Sequence, residues 1–143
     1  ALYAASDAGV KIDLIVRGAC ALRPGVPGQS ENIRVRSILG QFLEHHRVWY
    51  FENSESPDVW LSSADWMGRN LFRRVEVAFP VCDAELRKRV VDEGLHAYLA
   101  DNVDAWELRA DGHWTKVEPR RGGKRRSAQS ELLERLRATK REE

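Results

Sequence analysis

Apolar residues in this chain come in short runs, and that limits the fold more than any other feature. Ile12-Asp13-Leu14-Ile15-Val16, Val48-Trp49-Tyr50-Phe51 and Val59-Trp60-Leu61 are β-branched or aromatic stretches bounded by turn-forming residues, the pattern of strands with at least one buried face. No run approaches the roughly 20 apolar residues that a membrane-spanning helix needs. Helical patterns lie between and beyond these runs. ALYAASDA ends at Gly9, a suitable left-handed cap. From Asp83, a cap residue with Glu85 in the following turn, Leu86, Val90, Val91, Leu95, Tyr98 and Leu99 fall on one stripe. Residues 127 to about 141 carry a narrower stripe of Ala128, Leu132, Leu133 and Leu136. Helices and strands alternate early and hairpins gather later, so the expected class is α/β with a mixed sheet.

The strands differ in what they present. Ile33-Arg34-Val35-Arg36 alternates apolar and basic residues, burying one face and setting two arginines on the other. Arg74 to Phe79 alternates again, which predicts that Val75, Val77 and Phe79 share a face. The runs at 48–51 and 59–61 flank the turn-like ENSESPD and read as a hairpin, as do Trp106–Arg109 and Trp114–Val117 around Ala110-Asp111-Gly112. Residues 37–44 are ambiguous between a short helix and an irregular crossover. Residues 18–32 form a long loop rich in glycine and proline.

A chain of 143 residues can bury a core without staples. It has two cysteines, Cys20 and Cys82, too few for a disulfide scaffold or a four-thiolate zinc site. A reducing, cytoplasmic setting follows, with room for peripheral attachment to a membrane. The chain opens in what reads as the middle or end of a helix, without a methionine, so the expectation is a fragment cut from something larger. Net charge is only +1, yet Arg17, Arg23, Arg34, Arg36, Arg47, Arg69, Arg73 and Arg74 crowd the first half. Guanidinium forks match phosphate or carboxylate oxygens two at a time, which points to an anionic ligand. In α/β sheets ligands collect beyond the carboxyl ends of strands, where Arg17 sits.

His45-His46-Arg47 enters the third strand, and alternation predicts His45 and Arg47 on one side with His46 on the other. A titratable imidazole beside a permanent cation suits phosphoryl transfer. The segment SSADWMGRNLFRRVE at 62–76 follows the next strand with small hydroxyl residues, Asp65, Asn70 and Glu76. Histidine, a basic residue two positions on, a strand, a small-residue turn and a downstream glutamate together resemble one half-motif of the phospholipase D superfamily. In that superfamily two halves face each other and each gives one histidine.

A closer resemblance rests on RGACALRPGVPG, SENIRVRSILGQFLEHHRVWYF and SSADWMGRNLFRRVEVAFPV, in that order. These are similar to the last catalytic domain of bacterial polyphosphate kinases. The resemblance implies phospholipase D-like α/β/α layers around a mixed β-sheet over residues 1–118, a basic linker at 119–126 and a terminal helix at 127–143. It further implies reversible transfer of the ATP terminal phosphate to inorganic polyphosphate through a phosphohistidine in a preceding domain. Arg17 would contact the nucleotide. His45 would be the second histidine, contacting ATP or ADP and assisting proton transfer. Magnesium is expected with its ligands outside this chain, and no metal ligand is assigned within it. The expected partners are ATP, polyphosphate, the remaining domains of the same polypeptide and, for the intact enzyme, further copies of itself.

The sequence departs from the superfamily at Arg47, where lysine is usual, and at Asp65, where asparagine is more common. Arg36, Arg69, Arg73 and Arg74 are candidates to line a polyanion path, with at least two expected to pair with Glu44, Asp65 or Glu76. Trp49, Trp60 and Trp66 read as core or interface residues, and His96 and His113 as uninvolved. The competing reading is a nuclease-like or nucleic-acid-binding relative using the arginines and RRGGKRR at 120–126. Near-neutral net charge argues against it.

Overall fold

The computed structural model describes residues 1–54 and 56–139. The chain divides into two compact units, Ala1–Leu43 together with the chain from Tyr98 onward, and Glu44–Ala97.

In the first unit a short helix, α1 (Leu2–Asp7), precedes strand β1 (Ile12–Ile15). β1 pairs in parallel with β2 (Ile33–Ile38), which pairs antiparallel with β6 (Ala105–Leu108), itself hairpinned to β7 (Trp114–Lys116). The sheet is therefore mixed, as expected, in the order β1-β2-β6-β7. Alternation in β2 holds: Ile33 and Val35 are buried and Arg34 is exposed. The ambiguous segment after it begins as strand, since Ser37 and Ile38 pair with Trp106 and Ala105.

The long loop is tied down by its own polar groups. Ser30 Oγ donates to the Arg23 carbonyl at 2.6 Å and accepts from Val26 N–H. The Arg23 guanidinium donates through Nε and Nη2 to the Ala110 carbonyl. The terminal helix α5 (Ala128–Thr139) is anchored by buried Asp101. Its Oδ1 accepts from the N–H groups of Val103, Asp104 and Ala105, and its Oδ2 from Ala128 N–H at 2.7 Å. One carboxylate thus closes a turn and caps a helix that starts far along the chain. The far end of the expected helix, residues 140–143, lies outside the described residues.

Gln129, also buried, grips the segment after β2. Its Oε1 accepts from Phe42 N–H at 2.9 Å and its Nε2 donates to Phe42 C=O at 2.7 Å. A Cβ at position 40 would lie 2.4 Å from Gln129 Oε1, so any side chain there would push the amide aside.

The second unit carries an antiparallel sheet of β3 (Val48–Phe51), β4 (Asp58–Ser62) and β5 (Ala78–Pro80) in that order. The expected hairpin is present, with Val48 opposite Leu61 and Phe51 opposite Asp58. Residues 43–47 are not strand, which corrects the expectation that His45 and His46 sit on opposite faces of one. Pairing stops because β4 ends at Ser62, whose N–H already reaches the Arg47 carbonyl before the chain turns away.

The alternating run from Arg74 to Phe79 is likewise mostly not strand. Residues 68–73 form a short helix, α2 (Gly68–Arg73), and Arg74 is its extended C-cap. Ser63 holds the chain at Glu76 and Val77, so ladder pairing begins only at Ala78 opposite Ser62. Val75, Val77 and Phe79 are all exposed instead of burying a common face.

The helix expected from Asp83 forms. Asp83 Oδ1 accepts from Leu86 N–H at 2.9 Å, capping α3 (Ala84–Val91). The stripe is not uniformly covered, since Leu86 is exposed while Tyr98 is buried. A π turn follows at Asp92–His96, then a last helical turn, α4 (Ala97–Leu99).

Candidate functional site

The expected site residues divide between the units. Arg17 stands exposed just past β1, whose ladder closes with Val16 N–H on the Arg36 carbonyl at 2.8 Å. Strand-end placement follows from Gly18 and the loop beyond it. His45 lies in the second unit, in the irregular stretch before β3, and is also exposed.

Four interactions shape the stretch that carries His45. Arg47 Nη1 donates to the His45 carbonyl at 2.6 Å, so the arginine folds back onto the histidine's own backbone. Arg47 also donates through Nε and Nη2 to one oxygen of Asp65, at 3.0 and 2.9 Å. His46 Nε2 meets the Gly94 carbonyl at 3.1 Å, and its Nδ1 lies 3.3 Å from Glu44 Oε2. Both partners of that ring are acceptors, so both contacts are hydrogen bonds only when the ring carries two protons; a neutral ring keeps one. Gly94 belongs to the π turn. A Cβ there would lie 3.3 Å from Val48 Cγ2 and 3.8 Å from His46 Cδ2. The widened turn and the missing side chain together let His46 reach a backbone oxygen.

Beside this stretch, Glu76 is held by two donors, Ser63 Oγ on Oε2 and Asn70 Nδ2 on Oε1, the latter at 2.7 Å. The Ser63 and Asn70 hydrogen bonds, then the charges of Arg74 and Arg47, hold its carboxyl below the usual carboxylate range. Asn70 is buried on the inner side of α2, and its Oδ1 accepts no hydrogen bond. Trp66 meets Trp49 edge to face, ring centroids 6.0 Å apart.

Several first-half arginines prove to be structural. Arg23 binds Ala110 C=O, and Arg34 forms a two-point pair with Asp13, its direct neighbour across the β1–β2 ladder. Arg36 donates to the carbonyls of Tyr98 and Leu99 and pairs with Glu107, its partner in the β2–β6 register. This removes Arg36 from the expected polyanion path. Asp65 takes Arg47, Glu44 takes His46, and Glu76 takes Ser63 and Asn70, so the acids have partners that the sequence reading did not assign. Arg17, Arg69, Arg73 and Arg74 remain exposed.

Among the described residues, no three His, Cys, Asp or Glu side chains group as metal ligands. No helix among them is long and apolar enough to cross a membrane.

Comparison with known proteins places this arrangement. The crystal structure of polyphosphate kinase from Porphyromonas gingivalis superposes with a TM-score of 0.90 at 41% identity, over 99% of this chain and 22% of that one. The architecture is thus a mixed α/β domain of the phospholipase D-like class. Residues 1–129 match the family model described as polyphosphate kinase C-terminal domain 2, and the chain belongs to that family. The polyphosphate kinase of Burkholderia lata is 63% identical over 134 residues, covering 93% of this chain and 19% of that protein. That of Paraburkholderia phytofirmans is 59% identical over 132 residues, covering 92% and 19%. The chain spans about a fifth of the length of the curated relatives it matches.

Proposed function

We infer that this domain is one half of the catalytic centre of a polyphosphate kinase, which reversibly moves the terminal phosphate of ATP onto inorganic polyphosphate. The observation that carries the reading is the family match over residues 1–129, with relatives of that activity at 63% identity. The local chemistry fits. His45 is exposed on a backbone braced by Arg47, and in this reading its imidazole meets a substrate that the rest of the polypeptide helps to hold.

In this reading a histidine of a preceding domain attacks the terminal phosphorus of ATP, and the bond to the bridging oxygen breaks as ADP leaves. His45 contacts the nucleotide and supplies a proton to that oxygen. In the second half-reaction the chain end of polyphosphate takes the phosphoryl group from the phosphohistidine. Arg17 contributes a permanent cation to the nucleotide phosphates. Magnesium, whose ligands are expected outside this chain, would offset the negative charge of the nucleotide phosphates. The protein works in the cytoplasm as a homo-oligomer.

In the complete polypeptide, His45→Gln is expected to lower synthesis by about a hundredfold or more, the scale of a lost general acid. Arg17→Ala should chiefly raise the KM for ATP. Residues 1–143 alone should make no polyphosphate from ATP, and measurable turnover by them would sink the reading.

A further inference from the structure

Strand β7 leads into a basic segment, residues 118–126, in which Arg120, Arg121, Lys124 and Arg125 are all exposed. Among the described residues, Arg126 is the cation of this run that pairs with a carboxylate, Glu131, at 3.1 Å. The backbone beneath the exposed four is fixed. Gly123 N–H donates to the Arg120 carbonyl at 2.7 Å, with Gly122 at φ +75°, the left-handed position of a tight turn. Asn102 clamps the return: its Nδ2 donates to the Lys124 carbonyl, its N–H donates to the Arg126 carbonyl, and its Oδ1 accepts from Arg126 N–H. Four like charges carried on one short turn repel one another, and a multivalent anion relieves that cost without having to order the loop.

The place of the turn in the sheet narrows the anion. β7 runs parallel to β1 and β2, because β6 is antiparallel to both of its neighbours. Continued past Ile15, the register sets Arg17 level with Ile38, Ala105 and Val117. Arg17 and the basic turn therefore leave the same end of one sheet, from its two outer strands, roughly 15 Å apart across the strand order β1-β2-β6-β7. An extended polyanion can meet both. Residues 118–127 include no aromatic and no large aliphatic side chain, so they offer bases nothing to stack on and a bilayer nothing to take up.

We propose that Arg120, Arg121, Lys124 and Arg125 form a second anion site, which holds inorganic polyphosphate at a point remote from its reacting end. The choice of ligand rests on the proposed function. A chain held at this second point keeps its end at high effective concentration near Arg17, so the site favours long chains over short ones.

The test uses the complete polypeptide with all four residues changed to Gln, and a second variant in which Arg120, Arg121 and Arg125 become Lys. Calorimetric titration measures the affinity of each for long-chain polyphosphate and for tripolyphosphate, and circular dichroism checks the fold. The expected result is a loss of about tenfold in affinity for the long chain in the Gln variant, a smaller change for tripolyphosphate, and near wild-type affinity in the Lys variant. Unchanged long-chain affinity in the Gln variant would overturn the proposal, as would an equal loss in the Lys variant, which would trace the effect to the turn itself. Tighter binding of wild type to single-stranded DNA of equal charge, or to phosphatidylglycerol vesicles, would overturn it too. Synthesis from ATP by wild type is scored separately: its absence sinks the proposed function, while the binding comparison still decides the site.

Discussion

Arg47 places two nitrogens on a single oxygen of Asp65, Nε at 3.0 Å and Nη2 at 2.9 Å, and spends its third on the His45 carbonyl. These are the two positions at which the chain departs from the superfamily's usual lysine and asparagine, so the departures are complementary: the larger cation arrives with the acid that holds it. Both side chains are about a quarter exposed, so the pair is neither a solvated surface bridge nor a fully buried one. A double-mutant cycle of Arg47→Lys and Asp65→Asn is expected to give a coupling of about 1 kcal/mol. The double variant should be closer to wild type in urea denaturation than either single change. Strict additivity would show that the two residues do not work as a unit.

His46 holds the stretch before β3 against the π turn through Nε2. Glutamine can put an N–H donor near the Nε2 position, whereas asparagine and alanine cannot reach Gly94. In the complete enzyme, His46→Gln should keep most of its activity while His46→Asn and His46→Ala lose about tenfold in kcat, with the KM for ATP little changed. Equal activity in all three would remove His46 from any positioning role.

Glu76 is held ionised by Ser63 and Asn70, below its ordinary 4.5. A depressed carboxylate stabilises the fold above its unfolded value, and the gain is lost as pH falls through the folded value. Glu76→Gln should therefore melt at a lower temperature than wild type at pH 7, and the two curves should draw together as pH falls through the lowered folded value. A gap in melting temperature that stays constant from pH 7 to pH 3 would contradict this.

Asp101 serves four backbone N–H groups from a buried position. Asp101→Ala would orphan all four, at an expected cost of about 3–5 kcal/mol. Asp101→Asn can retain the acceptor at Oδ1 but turns a donor toward Ala128, so the loss should be smaller. Amide exchange in that variant should rise first at the start of α5. Uniform acceleration over the whole domain would count against a local cap.

The sequence pattern carried the sheet well where burial and alternation coincide. Ile33 and Val35 lie against a core, so their period of two is informative, and both hairpins follow from aromatic or β-branched runs meeting at turns. The same period misled at Val75, Val77 and Phe79, because alternation records a face but not whether anything covers it. The π turn left no trace, since Asp92 to His96 keep helical spacing. Placing His45 and Arg17 needed motif likeness, which the family match supports as a whole without assigning roles to the two residues. The engagement of His46 was missed because it depends on a glycine 48 positions away. The Arg47–Asp65 link was within reach, as both residues stood out in the same motif.

The amide of Gln129 treats Phe42 as a neighbouring strand would, meeting its N–H and its C=O at once. The family match stops at that same residue. Anyone trimming the domain for expression at that boundary would leave the gripping side chain on a frayed end, stripped of the helix that aims it, and would loosen the backbone leading toward His45 while every residue of the recognised motifs was still present.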